Sequence, residues 1–175
     1  LIDMSVGKGG DLQKWINSNL SFIFGLDLSK DNIENKLDGA YARYLNCCKR
    51  YKKLPKVVFI HGDSGLNIRS GEAGKDDKAK LISRAIFGNG PKDEGKLGTN
   101  VFNKYGIASD GFDIVSNQFS LHYFFENNQV LNGFLRNVSE CCRVGGYFIG
   151  CCYDGEKIFD LLKDIGQEET KRIVS

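Results

Sequence analysis

Apolar runs of strand length alternate along the chain with stretches whose apolar residues recur at helical spacing. Leu1-Ile2-Asp3-Met4 reads as a strand that ends in a Gly-rich turn, Gly7-Lys8-Gly9-Gly10, with Asp11 as a possible cap for a helix carrying Leu12, Trp15 and Ile16. A second strand spans Ser21 to Leu28. Ser29 then caps a helical stretch with Ile33 and Leu37, Asp38-Gly39 breaks it, and a further helix runs from Ala40 to Tyr51. Val57-Val58-Phe59-Ile60 is a third strand ending at Gly62-Asp63, and Phe112 to Ser116 is a fourth. Val130 to Arg143 predicts a helix with Leu131, Phe134, Leu135 and Val138 on one face. Gly145-Gly146 turns into a fifth strand, Tyr147 to Cys152, and Asp154-Gly155 opens a last helix through Ile158, Leu161 and Leu162.

Strands separated by helices of this length predict an α/β fold, a mostly parallel sheet with helices on both faces. One stretch departs from the rhythm. Ser64 to Gly111 is rich in Gly, Lys and Asp and reads as an insertion; it holds one amphipathic helix, Asp77 to Phe87, and Gly88 to Gly111 reads as a long surface loop. The 175 residues are one domain's worth. The chain opens inside an apolar run, and five strands do not complete a seven-stranded sheet, so residues 1–175 read as a single, partial domain whose missing strands lie downstream.

Composition narrows the chemistry. Lys and Arg number 24 against 22 Asp and Glu, a net charge of +2, so contact with nucleic acid has to come from local clustering. The basic run Lys49-Arg50-Tyr51-Lys52-Lys53 reads as a solvated helix end, although it could extend an RNA path. No apolar run is long enough to span a bilayer, and no signal peptide opens the chain. The six cysteines form three adjacent pairs, Cys47-Cys48, Cys141-Cys142 and Cys151-Cys152, without zinc-site spacing. They read as buried, reduced thiols in an intracellular, reducing compartment, and no metal site is expected.

In an open parallel sheet, ligands bind beyond the carboxyl ends of the strands where the strand order reverses. The polar residues after each strand are therefore the candidates. The first loop, Ser5-Val6-Gly7-Lys8-Gly9-Gly10, could bring backbone close to a ligand, or could be only a tight turn. Asp27, after the second strand, can accept from the two hydroxyls of an adenosine ribose, or can serve the helix that follows. Asp63, after the third, can accept from an adenine amino group. Together they imply an adenosine-containing cofactor without separating S-adenosylmethionine from a nicotinamide dinucleotide.

The segment after the fourth strand is more specific. Gln118-Phe119-Ser120-Leu121-His122-Tyr123-Phe124-Phe125-Glu126 resembles the signature of the mRNA cap guanine-N7 methyltransferases of eukaryotes and large DNA viruses. Gly7-Lys8-Gly9-Gly10-Asp11-Leu12 with Lys14-Trp15, Arg43-Tyr44, Arg136-Asn137 and Gly145 to Gly150 are similar to further motifs of that family. The resemblance covers nearly the whole chain except Ser64 to Gly111. It implies a Rossmann-like S-adenosylmethionine-dependent methyltransferase acting on the guanine N7 of the 5' cap of mRNA. Cofactor contacts would come from Ser5, Gly7, Asp27, Asp63, Gln118 and Tyr123. Cap contacts would come from Lys8, Lys14 and Arg43 near the phosphates, and from His122 and Tyr123 at the guanine. Ser5 stands where the family has a loop glycine. Partners implied are the capped RNA 5' end and capping guanylyltransferase or triphosphatase domains, in the nucleus of a cell or in the cytoplasm, virion or factory of a virus.

Guanine N7 has an in-plane lone pair and no proton, so its methylation requires positioning and no dedicated catalytic base. Rival readings remain for several residues. Lys14 and Arg43 could be solvated charges, and His122 among Leu121, Phe124 and Phe125 could be a hydrogen-bonded core histidine. Rival readings of the whole chain are a methyltransferase for another substrate, a degenerate cap- or cofactor-binding domain in a capping complex, and, more distantly, a nicotinamide dehydrogenase.

Overall fold

A computed structural model describes residues 1–163. Five strands form one parallel sheet: β1 (Ile2–Asp3), β2 (Phe22–Asp27), β3 (Lys56–His61), β4 (Phe112–Gln118) and β5 (Cys142–Cys151), in the order β3-β2-β1-β4-β5. The chain builds outward from β1 to β3, then returns to lay β4 on the other side of β1. The strand order therefore reverses between β1 and β4.

Alternation along the strands sorts side chains into two cores. Phe22, Phe24 and Leu26 of β2 join Val58 and Ile60 of β3 on one face, while Ile23, Val57 and Phe59 enter the other. Helices α1 (Leu12–Asn17), α2 (Lys30–Glu34) and α3 (Ala40–Cys48) cover the second face through Leu12, Trp15, Ile33 and Ala40. The first face takes α4 (Asp77–Ile86), α5 (Glu94–Leu97), α6 (Thr99–Phe102) and α7 (Asn128–Cys141). A short 3-10 turn, Leu121–Phe125, follows β4, and α8 (Gly155–Leu162) follows β5.

The caps are mostly where the sequence puts them. Ser29 Oγ accepts from Asn32 N, and Asp154 from Lys157 N. Asp11 sits at the N-cap position of α1 but makes no side-chain cap bond; its carboxylate takes Lys14 instead. Leu37 lies beyond the end of α2 and is exposed.

Three expectations are corrected. Gly88 to Gly111 is not a surface loop: α5 and α6 fold from it, and Leu97, Val101 and Ala108 are buried in the larger core. On α7 the buried set is Phe134, Asn137 and Cys141, while Leu135 is exposed; the helix stops at Cys141, and β5 begins at Cys142, ahead of Gly145-Gly146. Those glycines sit in a register irregularity between β4 and β5, whose pairing jumps from Phe112–Cys142 to Ile114–Tyr147. Finally, all six cysteines are free, but only Cys141 is buried.

β3 lies at an edge of the sheet, so Phe59 has backbone groups with no strand beside them. Tyr41 of α3 supplies the partner: its hydroxyl donates to Phe59 O and accepts from Phe59 N, both at 2.9 Å. Replacing Tyr41 by Phe removes both bonds with little change in packing. It is expected to cost about 1–3 kcal/mol in urea unfolding; an unchanged midpoint would contradict this.

Candidate functional site

One cleft of about 660 Å³ opens at the carboxyl ends of the strands, on either side of the β1–β4 reversal. The loop after β1 contributes Ser5; β2, the turn after it and α2 contribute Asp27, Ser29 and Asn32. The turn after β3 contributes Gly62, Asp63 and Ser64, and the segment after β4 contributes Ser120, Tyr123, Phe124 and Glu126. Its volume falls within the range of small-molecule pockets.

Asp27 organises one wall. Its Oδ2 accepts from Gly7 N at 2.8 Å, and its Oδ1 accepts from Ser29 N and Asn32 Nδ2, both at 2.9 Å. The Gly-rich loop can reach it because Gly7 and Gly9 adopt left-handed backbone, φ 53° and 73°, which costs glycine little. Asp27 orders the start of α2, as its helix reading expects, and also lines the cleft. Asp63 is held by Gly65 N at 3.0 Å and by Lys75 Nζ at 2.9 Å.

The position of this second wall is set from a distance by α7. Buried Asn137 donates from Nδ2 to Ser64 O and Leu66 O and accepts from Ile68 N, so it ties down the loop that carries Asp63 and Ser64. Gly133, one turn earlier on α7, lies against this loop; a Cβ there would overlap Gly65 O.

Beneath the first loop, Ser5 Oγ donates to Asn117 Oδ1 at 2.6 Å and also meets Ser120 Oγ. Asn117 is 1% exposed, and its Nδ2 has no hydrogen-bond partner among the described residues. Gln118 does not line the cleft: its amide bonds Ser116 Oγ at 3.1 Å, and its Oε1 accepts from Cys151 Sγ at 2.9 Å.

His122 is exposed, which removes its reading as a buried core histidine. Its ring lies 4.1 Å from Tyr123 and 6.1 Å from Tyr153, centroid to centroid. Phe119, a residue 56% exposed, completes the group 5.9 Å from Tyr153. Phe119 holds φ at 55°, a strained conformation for an aromatic residue. Sequence reasoning omitted Tyr153, Ser120 and Asn32. The strand-end rule, applied to the fifth strand as to the first four, points to Tyr153.

Lys8 and Arg43 meet at one turn. Lys8 Nζ bonds both carboxylate oxygens of Asp38, at 2.9 and 2.8 Å, and lies 3.7 Å from Asp31; Arg43 Nε donates to Asp38 O at 2.9 Å. The Lys8 ammonium holds the Asp38 carboxyl below its ordinary range. Lys14 instead pairs with Asp11 at 2.6 Å.

Residues 92–173 match the family model of the mRNA (guanine-N(7))-methyltransferase domain. The chain is 28% identical over 163 residues to the "Probable mRNA-capping enzyme" of Acanthamoeba polyphaga mimivirus, covering 93% of this chain and 13% of that protein. It is 31% identical over 163 residues to the mRNA cap guanine-N(7) methyltransferase of Meyerozyma guilliermondii, covering 91% of this chain and 25% of that one. The chain is thus similar to mRNA cap guanine-N7 methyltransferases, the family model itself covering residues 92–173. The family match begins at residue 92, so the likeness extends into the Ser64 to Gly111 stretch. This chain spans only 13% and 25% of the lengths of these two relatives. In three dimensions it is similar to a crystal structure of a protein from Pyrococcus horikoshii OT3, with a TM-score of 0.53 and 17% identity, over 95% of this chain and 54% of that one. That likeness concerns the fold alone.

Asp3, at the end of β1, is 2% exposed, and its Oδ1 accepts from Ser5 N at 3.1 Å. Burial raises its carboxyl to about 7; the Ser5 amide opposes the shift, and Asp11 and Asp27 add to it. Because the folded value lies above the unfolded one, the folded protein binds the extra proton between about pH 4 and pH 7. Stability should therefore fall as pH rises through that window and level off above it. Thermal melts across the window should show Asp3→Asn with a flatter profile than the natural protein; parallel profiles would contradict the assignment.

Proposed function

We propose that this chain is the cofactor- and cap-binding core of an enzyme that methylates the guanine N7 of the mRNA 5' cap with S-adenosylmethionine. The observation that carries the reading is the single cleft at the β1–β4 reversal that holds Asp27, Asp63 and Tyr123 together. The cleft fits the cofactor's chemistry: carboxylates suit ribose hydroxyls and an adenine amino group, which are donors. Asp27 would take the ribose and Asp63 the adenine, with Ser5 and the Gly7 loop beside the methionyl end. When bound, S-adenosylmethionine supplies an electrophilic methyl group. Gln118 would act here only through Ser116 and Cys151, the groups its amide engages.

The chain's own task is then orientation. His122 can hydrogen-bond a guanine edge, and Tyr123 can pack against the base, with Phe119 and Tyr153 alongside. Neither His122 nor Tyr123 has to move a proton, because N7 attacks through its lone pair. Holding the nucleophile in line and excluding water can supply roughly 7–11 kcal/mol of the barrier. Lys8 and Arg43 would receive the triphosphate bridge, and Lys14 would extend that basic side. The partners in this reading are the capped RNA end and guanylyltransferase or triphosphatase domains, in the same protein or a separate one.

The test is transfer of labelled methyl to unmethylated capped RNA by the full-length protein. Arg43→Ala should raise KM for capped RNA by about tenfold, the worth of one charge-assisted phosphate contact, and leave S-adenosylhomocysteine binding intact. Loss of cofactor binding with unchanged KM for RNA would overturn the phosphate assignment. His122→Ala should lower methyl transfer at an unchanged melting temperature. A destabilised variant whose folded fraction keeps normal activity would overturn the guanine assignment.

A further inference from the structure

The chain that leaves β3 folds back on the end of that strand. Gly62 and Gly74 form an isolated antiparallel bridge. Asp63 N donates to Ala73 O at 2.8 Å, and Lys75 N donates to His61 O at 3.1 Å. The returning segment is wedged against α4. A Cβ on Gly74 would overlap Lys80 N, and one on Gly71 would come within 2.6 Å of Lys80 O. Immediately beyond, Asp76 caps α4 by accepting from Ala79 N at 2.8 Å. Lys75 is thus fixed on both sides by backbone, and its Nζ sits 2.9 Å from Asp63 Oδ2.

Both oxygens of Asp63 are consequently held, Oδ1 by Gly65 N and Oδ2 by Lys75. The two side chains are 33% and 32% exposed, so the ion pair adds little to stability. What it fixes is the direction of a carboxylate in the wall of the cleft. We infer that Lys75 is a positioning residue that aims Asp63 at the exocyclic amino group of the cofactor's base and so sets the preference for adenine over hypoxanthine. This rests on the reading of Asp63 as the adenine partner. An adenine amino group donates to the aimed carboxylate, whereas hypoxanthine presents a carbonyl oxygen at the same edge, so two acceptors face each other. Discrimination of this kind depends on the acceptor being held in place, because a free carboxylate could turn away from the wrong base.

The experiment measures calorimetric dissociation constants of the full-length protein for S-adenosylhomocysteine and for its deaminated analogue, S-inosylhomocysteine. Lys75→Met should melt at the natural temperature and lose about tenfold of the preference for the amino-bearing base, the effect of one misaligned charge-assisted hydrogen bond. Lys75→Arg should keep most of it. Lys75→Gln, which retains a polar end, provides a second neutral variant with the same expectation as Met. An unchanged preference in both neutral variants, or equal weakening of both compounds, overturns the role of Lys75. Asp63→Asn separates the two levels: if it abolishes the preference while Lys75→Met does not, only Lys75 is wrongly assigned. If Asp63→Asn leaves the preference intact, the adenine reading of Asp63 fails and this inference fails with it.

Discussion

The Asp27 carboxylate is the contact on which the site depends. It joins the Gly-rich loop after β1 to the start of α2 through Gly7 N, Ser29 N and Asn32 Nδ2. Val6 N also ties the loop to Leu26 O of the second strand at 2.8 Å, but the Asp27 bond is the one that fixes the glycine turn at Gly7 beside the cleft. Asp27 is also 9% exposed and lines the cleft, so its charge is partly withdrawn from water and balanced mainly by amide donors. A carboxylate held in this way is oriented before any ligand arrives, which lowers the ordering cost of binding.

The opposite wall is fixed by different means. Asn137 reaches from α7 to three backbone groups of the 64–68 loop, and Gly133 allows α7 to approach that loop closely. The cleft is therefore set by contacts that cross the sheet from side to side. One wall hangs on β2, and the other is braced by a helix that follows β4. Behind the first wall, Asp3 has its carboxyl raised mainly by burial, with smaller contributions from Asp11 and Asp27.

Much of this is legible in the sequence where one physical rule dominates. Val57 to Ile60 and Phe22 to Leu26 are continuous apolar runs because both sheet faces are covered, and the strands fall there. Asp27 and Asp63 follow from reading the ends of strands, since topology alone brings strand ends together. Other features are hidden because no local pattern encodes them. Leu97, Val101 and Ala108 are buried at spacings of four and seven, but Gly95, Gly98 and Gly106 break the segment so that it does not read as one helix. Asn137 looks like a polar residue on an amphipathic helix until the loop it serves is placed beside it. Gln118 sits at a strand end, yet its amide engages Ser116 and Cys151, and no strand-end rule predicts that choice. Lys75 is one lysine among many until the chain reversal at Gly74 carries it to Asp63.

The central claim is that the cleft receives the adenosine half of S-adenosylmethionine through Asp27. Calorimetric titration of S-adenosylhomocysteine into the natural protein and into Asp27→Ala, each checked for an intact fold by circular dichroism, tests it most directly. The account predicts binding by the natural protein and a loss of about 1.5–3 kcal/mol in the variant, the worth of hydrogen bonds to a charged group. A folded Asp27→Ala protein that binds with unchanged affinity would contradict it.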